Sequence, residues 1–235
     1  MFALRPANQR GHTQTGWLDS YHTFSFGDYY DPDFMGFSDL RVINDDIVAP
    51  EQGFGAHPHR DMEIVSIVLN GELEHKDSLG NGSVIRPGEI QKMSAGSGIY
   101  HSEFNPSATD PVHFLQIWIL PNMRALKPSY QQKQFSPQIM TDQLKLIVSP
   151  DGREESLIIS QNAEIYQTLL NRDKTVSFDI NDHRKAWIQI AGGSVMVNDQ
   201  PMVAGDGLAV ADENTSVQIR GINKQSNIIV FNLRK

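Results

Sequence analysis

The chain has 235 residues, enough for one large β domain or two of about 100–130 residues each, and either can bury a core. Twenty Lys and Arg against 28 Asp and Glu leave a formal charge of −8 with no basic cluster, which argues against nucleic-acid binding through Lys/Arg–phosphate contacts and against a basic membrane-surface helix. There is no cysteine, so disulfides, thiolate metal sites and cysteine nucleophiles are excluded, and any metal must take nitrogen and oxygen ligands.

The N-terminal residues carry no apolar run of signal-peptide length, and no later segment is long enough to span a bilayer, so a soluble cytoplasmic protein is expected. His22, Phe24 and Phe26 alternate with Tyr21, Thr23 and Ser25, a strand pattern rich in aromatic and β-branched residues. Asp39–Asp46 reads as a second strand. Pro50–Ala56 is a glycine-rich approach to His57-Pro58-His59. From Glu63 to Leu69 nearly every residue is apolar, which implies a strand covered on both faces. Asn70-Gly71 is a hairpin signal, and turns recur at Gly80-Asn81-Gly82 and Arg86-Pro87-Gly88. Ala95-Gly96-Ser97-Gly98 leads into His101-Ser102-Glu103, and Val112–Leu120 closes the first half.

Residues 121–138 carry three prolines, and 123–138 read as a linker between a first domain at 1–122 and a second at 139–235. The second half carries short strands at 145–148, 156–160, 186–190, 194–197, 207–210, 217–220 and 228–233. Ala163–Asn171 is the best helix candidate. A faint repeat relates Ile67–Leu73 to Ile188–Val195, and Pro87-Gly88-Glu89 to Ala204-Gly205-Asp206. Many short strands with frequent turns predict an all-β protein of two tandem β-barrels.

The chemistry concentrates in two pairs. On a strand, residues i and i+2 point to the same face, so His57 and His59 converge, and so do His101 and Glu103. If the two strands are neighbours, three imidazoles and one carboxylate meet. That set suits a divalent first-row metal: Fe, Ni, Co, Cu, Mn or Zn. Glu63 shares the parity of His57 and His59 and is the competing carboxylate. The corresponding stretch of the second half, Asp182-His183-Arg184-Lys185, holds no such pair, so only the first barrel is expected to bind metal.

Gly53-x3-His57-x-His59-x3-Glu63-x7-Gly71, followed by Pro87-x-Glu89 and His101, resembles the two cupin motifs. HPHRDMEIVSIVLNGELEHKDSLGN and MSAGSGIYHSEFNP, with GWLDSYHTFSF, YYDPDFMGF and LRVINDD before them, resemble the pirin family, in particular its bacterial quercetin 2,3-dioxygenase members. The resemblance is strong over about residues 1–120 and only stylistic beyond. It implies a bicupin with metal ligands His57, His59, His101 and Glu103, leaving Glu63 to orient an imidazole. It also implies a dioxygenase that opens the heterocyclic ring of flavonols such as quercetin with dioxygen and releases carbon monoxide. Glu103, with a free second oxygen, is the expected general base. Fe(II) is the expected ion, with Ni, Co, Mn, Cu and Zn as the other candidates. The expected partners are a flavonol-like aromatic molecule and dioxygen. A non-enzymatic metal- or redox-sensing regulator that binds a protein partner is the alternative, and a sugar-binding or isomerase cupin is a further rival.

The remaining candidates carry plainer readings. His12 and His22 read as packing or rim residues, His75 as exposed or paired, His113 as a core residue, and His183 as part of a solvated face. Ser102 should point away from any metal. Gly96-Ser97-Gly98 lacks a P-loop lysine and reads as a turn. Phe24, Phe26, Phe37, Met93 and Phe104 are candidates for an apolar pocket wall or for ordinary core packing.

Overall fold

A computed structural model describes residues 2–181, 183–211 and 214–235. Among these, β-strands dominate; the helical content is one turn at Pro137–Met140 and two 3-10 segments. The chain divides into two compact units, one of residues 11–134 with 157–161, the other of residues 1–10, 135–156 and 162–235. No helix among the described residues is long and apolar enough to cross a membrane. Asp182 lies outside the described residues.

The first unit is a pair of antiparallel sheets. Seven strands run in the order Ser129–Gln134, Glu89–Ser94, Glu63–Asn70, Val112–Ile119, Leu40–Val48, Leu18–His22 and Gly11–Gln14. Four run in the order Gly53–His59, Ile99–Phe104, Leu73–Asp77 and Gly82–Ile85. The Ser129–Gln134 strand falls inside the stretch whose prolines suggested a linker; its backbone pairs with Glu89–Ser94. Asn70-Gly71 does not close a hairpin. It carries the chain from one sheet to the other, with Gly71 at φ +79°, where an added Cβ would sit 2.7 Å from the Pro111 carbonyl oxygen. The glycine therefore serves both the left-handed backbone and the close approach.

Apolar clusters pack among the described residues of this unit. One holds Val48, Val68, Leu73, Ile85, Val112 and Phe114. Another holds Ile64, Met93, Ala95 and Ile99, with Trp118 against it. A row of polar side chains in direct cross-strand register crosses six strands of the large sheet: Gln132, Gln91, Ser66, Gln116, Asn44 and His22.

The second unit repeats the plan. Six strands of its large sheet run Phe2–Arg5, Gly207–Val210, Arg184–Gly192, Gln225–Arg234, Glu164–Asn171 and Lys145–Ser149 in that order, and its small sheet takes Thr175–Ile180, Thr215–Gly221, Ser194–Val197 and Gln200–Val203. The helix candidate, Ala163–Asn171, is instead the strand Glu164–Asn171. It is paired along its length with Gln225–Arg234 and in part with Lys145–Ser149, so sheet pairing overrides its weak local periodicity. The fold is all-β, and each unit combines a large antiparallel sheet with a four-stranded one.

Candidate metal centre

The small sheet of the first unit carries the site. Gly53–His59 pairs with Ile99–Phe104, and a bulge between His101 and Glu103 sets His57 opposite His101 and Phe54 opposite Glu103. The two strands lie very close here. A Cβ on Gly53 would sit 2.3 Å from the Glu103 carbonyl oxygen, so only glycine permits the pairing beside that residue. Alternation then turns His57, His59, His101 and Glu103 inward, while Pro58, Tyr100 and Phe104 are exposed.

The three imidazoles form a compact triangle. Ring centroids are 4.5 Å apart for His57 and His101, and 4.8 Å for His57–His59 and His59–His101. One ring nitrogen from each lies within 4.8 Å of the others. His57 Nδ1 is 2.8 Å from the Gly55 carbonyl oxygen; the carbonyl can only accept, so Nδ1 carries a proton and Nε2 is the nitrogen left to serve as a ligand. His101 Nε2 is buried with no hydrogen-bond partner. Burial, followed by the neighbouring His101 and His57, lowers the His59 pKa from 6.5 to about 4. Burial, followed by His57 and His75, lowers that of His101 to about 3. Neutral imidazoles with bare, converging nitrogens are the form that binds a divalent cation, and an orphaned buried Nε2 is an atom such an ion would satisfy.

Glu103 is 2% exposed. Gln116 Nε2 donates to its Oε2 at 2.6 Å, and Ser66 Oγ lies 3.3 Å from its Oε1. Its carboxylate groups with His101 and His75, so the four expected residues fall in two overlapping clusters that share His101. Glu63 belongs to neither. Its strand lies in the other sheet, so parity with His57 does not carry across the bend. Glu63 instead forms a buried pair with Lys92 at 2.5 Å, accepts from Ser94 Oγ at 3.0 Å, and accepts the Ser160 backbone N–H at 3.2 Å. Asp61 meets Arg60 at 3.6 Å and accepts the Ala125 N–H.

His57, His59 and Glu103 open into a cavity also lined by Leu18, Phe26, Phe54 and Trp118, and by Thr13, Ser20, His22, Asn44, Asp46 and Gln116. Its lining is therefore mixed, where an apolar one is expected from the sequence. Trp118 sits edge-on to His59 at 4.9 Å and to Phe26 at 5.4 Å. On the polar side His22 Nδ1 is 2.8 Å from Asn44 Oδ1, and Ser20 donates to Asp46. Burial lifts the Asp46 carboxyl from 3.8 to about 7 against the lowering effect of Ser20, with the Glu103 and Asp45 charges adding to the rise. Of the aromatic and Met candidates only Phe26 lines this cavity; Phe24 and Met93 are core and Phe104 is exposed. His12 is half-exposed, 2.6 Å from Asp19 and stacked on Tyr21. His113 is a half-buried partner of Asp45 at 2.6 Å rather than a core residue, because its side chain lies on the face opposite Phe114.

Two site residues escape the sequence reading. His75 is 0% exposed and lies against His101, with ring centroids 5.3 Å apart. Asp77, two residues on, accepts from His75 Nε2 at 3.1 Å. Burial raises the Asp77 pKa, but hydrogen bonds from Asn81, His75 and the Leu79 amide outweigh it and hold the carboxyl below its ordinary value. The signal was present: His75-Lys76-Asp77 has the same i, i+2 spacing as the other two pairs, and Leu73–Asp77 is the next strand in the sheet.

Residues 3–119 match the family model described as Pirin. A quercetin 2,3-dioxygenase of Escherichia coli K12 is 47% identical over 233 residues, 99% of each chain. The chain belongs to the pirin family. Residues 146–233 match the quercetinase C-terminal cupin domain, which extends the likeness to the second unit. The crystal structure of the bacterial pirin YhhW from E. coli in complex with nickel(II) superposes with a TM-score of 0.94 at 47% identity, covering 100% of this chain and 99% of that one. A quercetin 2,3-dioxygenase from Acinetobacter baumannii, 20% identical with a TM-score of 0.76 over 99% of this chain and 85% of its own, shares the fold. A His/Glu cluster able to hold one divalent metal is thus the chemical centre of this pirin.

Proposed function

We propose that this pirin is a metal-dependent dioxygenase that opens the heterocyclic ring of flavonols such as quercetin with dioxygen and releases carbon monoxide. The observation that carries the reading is the cavity itself: His57, His59 and the hydrogen-bonded Glu103 carboxylate line a pocket walled by Phe26, Phe54 and Trp118, and the His101 ring completes the imidazole triangle. His57, His59, His101 and Glu103 are the residues that would hold the ion. When bound, the metal supplies Lewis acidity and electron transfer to dioxygen. Fe(II) is the ion assigned, since nitrogen ligands with one carboxylate suit iron-dependent oxygen chemistry.

Glu103 accepts the proton of the flavonol 3-hydroxyl. Gln116 donates to its carboxylate, and Ser66, 2.9 Å from Gln116 Oε1 and 3.3 Å from Glu103 Oε1, braces both for that transfer. The aromatic walls select a flat ring system and keep bulk water from it. Trp118 Nε1, buried without a partner, is a donor available to a substrate oxygen. Ser20, His22, Asn44 and Asp46, also in the lining, suit the further hydroxyls that flavonols carry. A cytoplasmic setting is part of the same proposal.

The test is stoichiometric. Protein stripped of metal is reloaded separately with Fe(II), Ni(II), Co(II), Mn(II) and Cu(II), then given quercetin and dioxygen. One carbon monoxide per flavonol consumed is expected, fastest with iron. Metal uptake without carbon monoxide for all five ions overturns the enzymatic reading and leaves a metal-binding regulatory protein.

A further inference from the structure

Behind the imidazole triangle lies a buried arm that the chemistry above does not use. His75 Nε2 is 3.1 Å from Asp77 Oδ2, and both side chains are 0% exposed. His75 Nδ1 is 3.4 Å from His101 Nδ1 and 3.4 Å from Gln91 Nε2. The ring is clamped on its other face by Tyr130, stacked at 4.8 Å and 26°. Tyr130 is itself fixed by hydrogen bonds to Ser83 and to Gln132 Oε1. Asp77 is fixed as well: its Oδ1 accepts the backbone N–H groups of Leu79 at 2.9 Å and Asn81 at 3.1 Å.

We propose that Asp77 and His75 are positioning residues that set the tautomer of His101, holding its proton on Nδ1 so that Nε2 presents a bare lone pair to the metal. This rests on the reading of His101 as a ligand. The relay runs upward from the carboxylate. Asp77 only accepts, so His75 Nε2 carries a proton. In the proposed arrangement His75 Nδ1 is the acceptor and His101 Nδ1, 3.4 Å away, the donor to it. That leaves His101 Nε2 without a proton, and this is the atom found buried and unpartnered from the other side. His57 reaches the same tautomer by a shorter route, through the Gly55 carbonyl. A ring that ligates through one nitrogen and is held through the other by a carboxylate-anchored partner is a recognised means of raising ligand strength.

The decisive variant is Asp77→Asn. The backbone amides of Leu79 and Asn81 keep the carbonyl oxygen of the new amide, so its NH₂ faces His75 and the Asn81 side chain, whose amide, 2.9 Å from Oδ2 in the wild type, turns its oxygen to accept from it. The His75 proton is driven to Nδ1, the His101 proton to Nε2, and the metal meets an N–H. Ni(II) affinity, measured by competition with a chelator on the full chain, is expected to fall about 10- to 100-fold with little change in the unfolding midpoint. His75→Leu should lose as much. His75→Gln, which can donate to Asp77 and accept from His101, should stay within about threefold of wild type, and its Co(II) visible spectrum should match. Equal Ni(II) affinity in wild type and Asp77→Asn overturns the proposal. Nitrogen-15 NMR of the metal-free wild-type chain decides the point independently: His101 protonated at Nδ1 supports the proposal, and His101 protonated at Nε2 overturns it. If wild type binds no metal, the functional reading fails, and the NMR measurement still decides the tautomer.

Discussion

The two units use one strand plan with opposite interiors. In the first, the row that crosses the large sheet reads Gln132, Gln91, Ser66, Gln116, Asn44, His22. In the second, the matching row reads Leu4, Leu208, Ile188, Val230, Tyr166, Leu146. The small sheets differ in the same way: His57 faces His101 across one pair of strands, and Phe178 faces Val217 across the other. The corners have hardly changed. Gly71 and Gly193 both stand at φ +79°, and Gly88 and Gly205 at +88° and +91°. Backbone geometry is thus carried by a few glycines, and the interior is free to be either a solid apolar core or a polar floor under a cavity. The polar row is an unfavourable way to fill a protein interior unless its groups are satisfied, and here they satisfy Glu103 and His75.

The comparison is broken most directly at the ligands. His101→Ala removes the nitrogen common to both clusters. It should lower metal affinity and carbon monoxide release by on the order of 100-fold or more, read by metal analysis and turnover. Near-normal metal content in this variant would show that the polar interior is not a metal site. Next in size is the reverse change in the apolar unit. Ile188→Ser places a hydroxyl and a cavity in a row of apolar neighbours, and should cost about 3–5 kcal/mol in urea unfolding while metal per folded chain stays the same.

Gln116→Val imports the second unit's chemistry into the first. It strips Glu103 of its 2.6 Å donor, and a buried carboxylate left short of donors costs about 1–3 kcal/mol in the metal-free protein. Adding Glu103→Leu should return most of that loss, because the damage lies in the stranded charge rather than in the missing amide. Strictly additive effects in this cycle would mean that the row is packing and not a support for Glu103.

The sequence shows the skeleton of this contrast more clearly than its interior. His57, His59, His101 and Glu103 are legible because i, i+2 pairs need only a strand to converge. The all-β class is legible from short apolar runs between turns. His75 is not, because Glu72, Glu74 and Lys76 make its strand look solvated when only alternate residues face out. Ser66 and Gln116 each stand among apolar neighbours in their strands, and that isolation is the readable sign of a buried polar group with a fixed partner. Glu63 misleads because parity holds along one strand and is lost at the bend into another sheet. The pairing of Glu164–Asn171 and of Ser129–Gln134 depends on partners far along the chain, beyond the reach of local pattern.

The smallest effect is expected where the second unit keeps its own polar cluster, at Glu164. Its carboxylate takes Arg153 Nη2 at 2.6 Å, Tyr166 Oη at 2.9 Å and Asn232 Nδ2 at 2.9 Å. Burial works to raise its pKa, yet these donors together hold it below the ordinary 4.5. A carboxyl whose folded pKa is depressed adds stability that is present above its unfolded value and is lost as the pH falls through the folded one. Glu164→Gln should therefore cost about 1 kcal/mol or less at pH 7, because Arg153 is partly exposed and water screens the pair. The deficit should shrink as the pH is lowered from about 4.5, where the wild type gives up the same interaction. Urea unfolding of both proteins across that range reads it, with metal content as the control. A deficit that persists unchanged at acid pH would assign the loss to shape rather than charge. A change in metal content would mean that the second unit's charges reach the first unit's site after all.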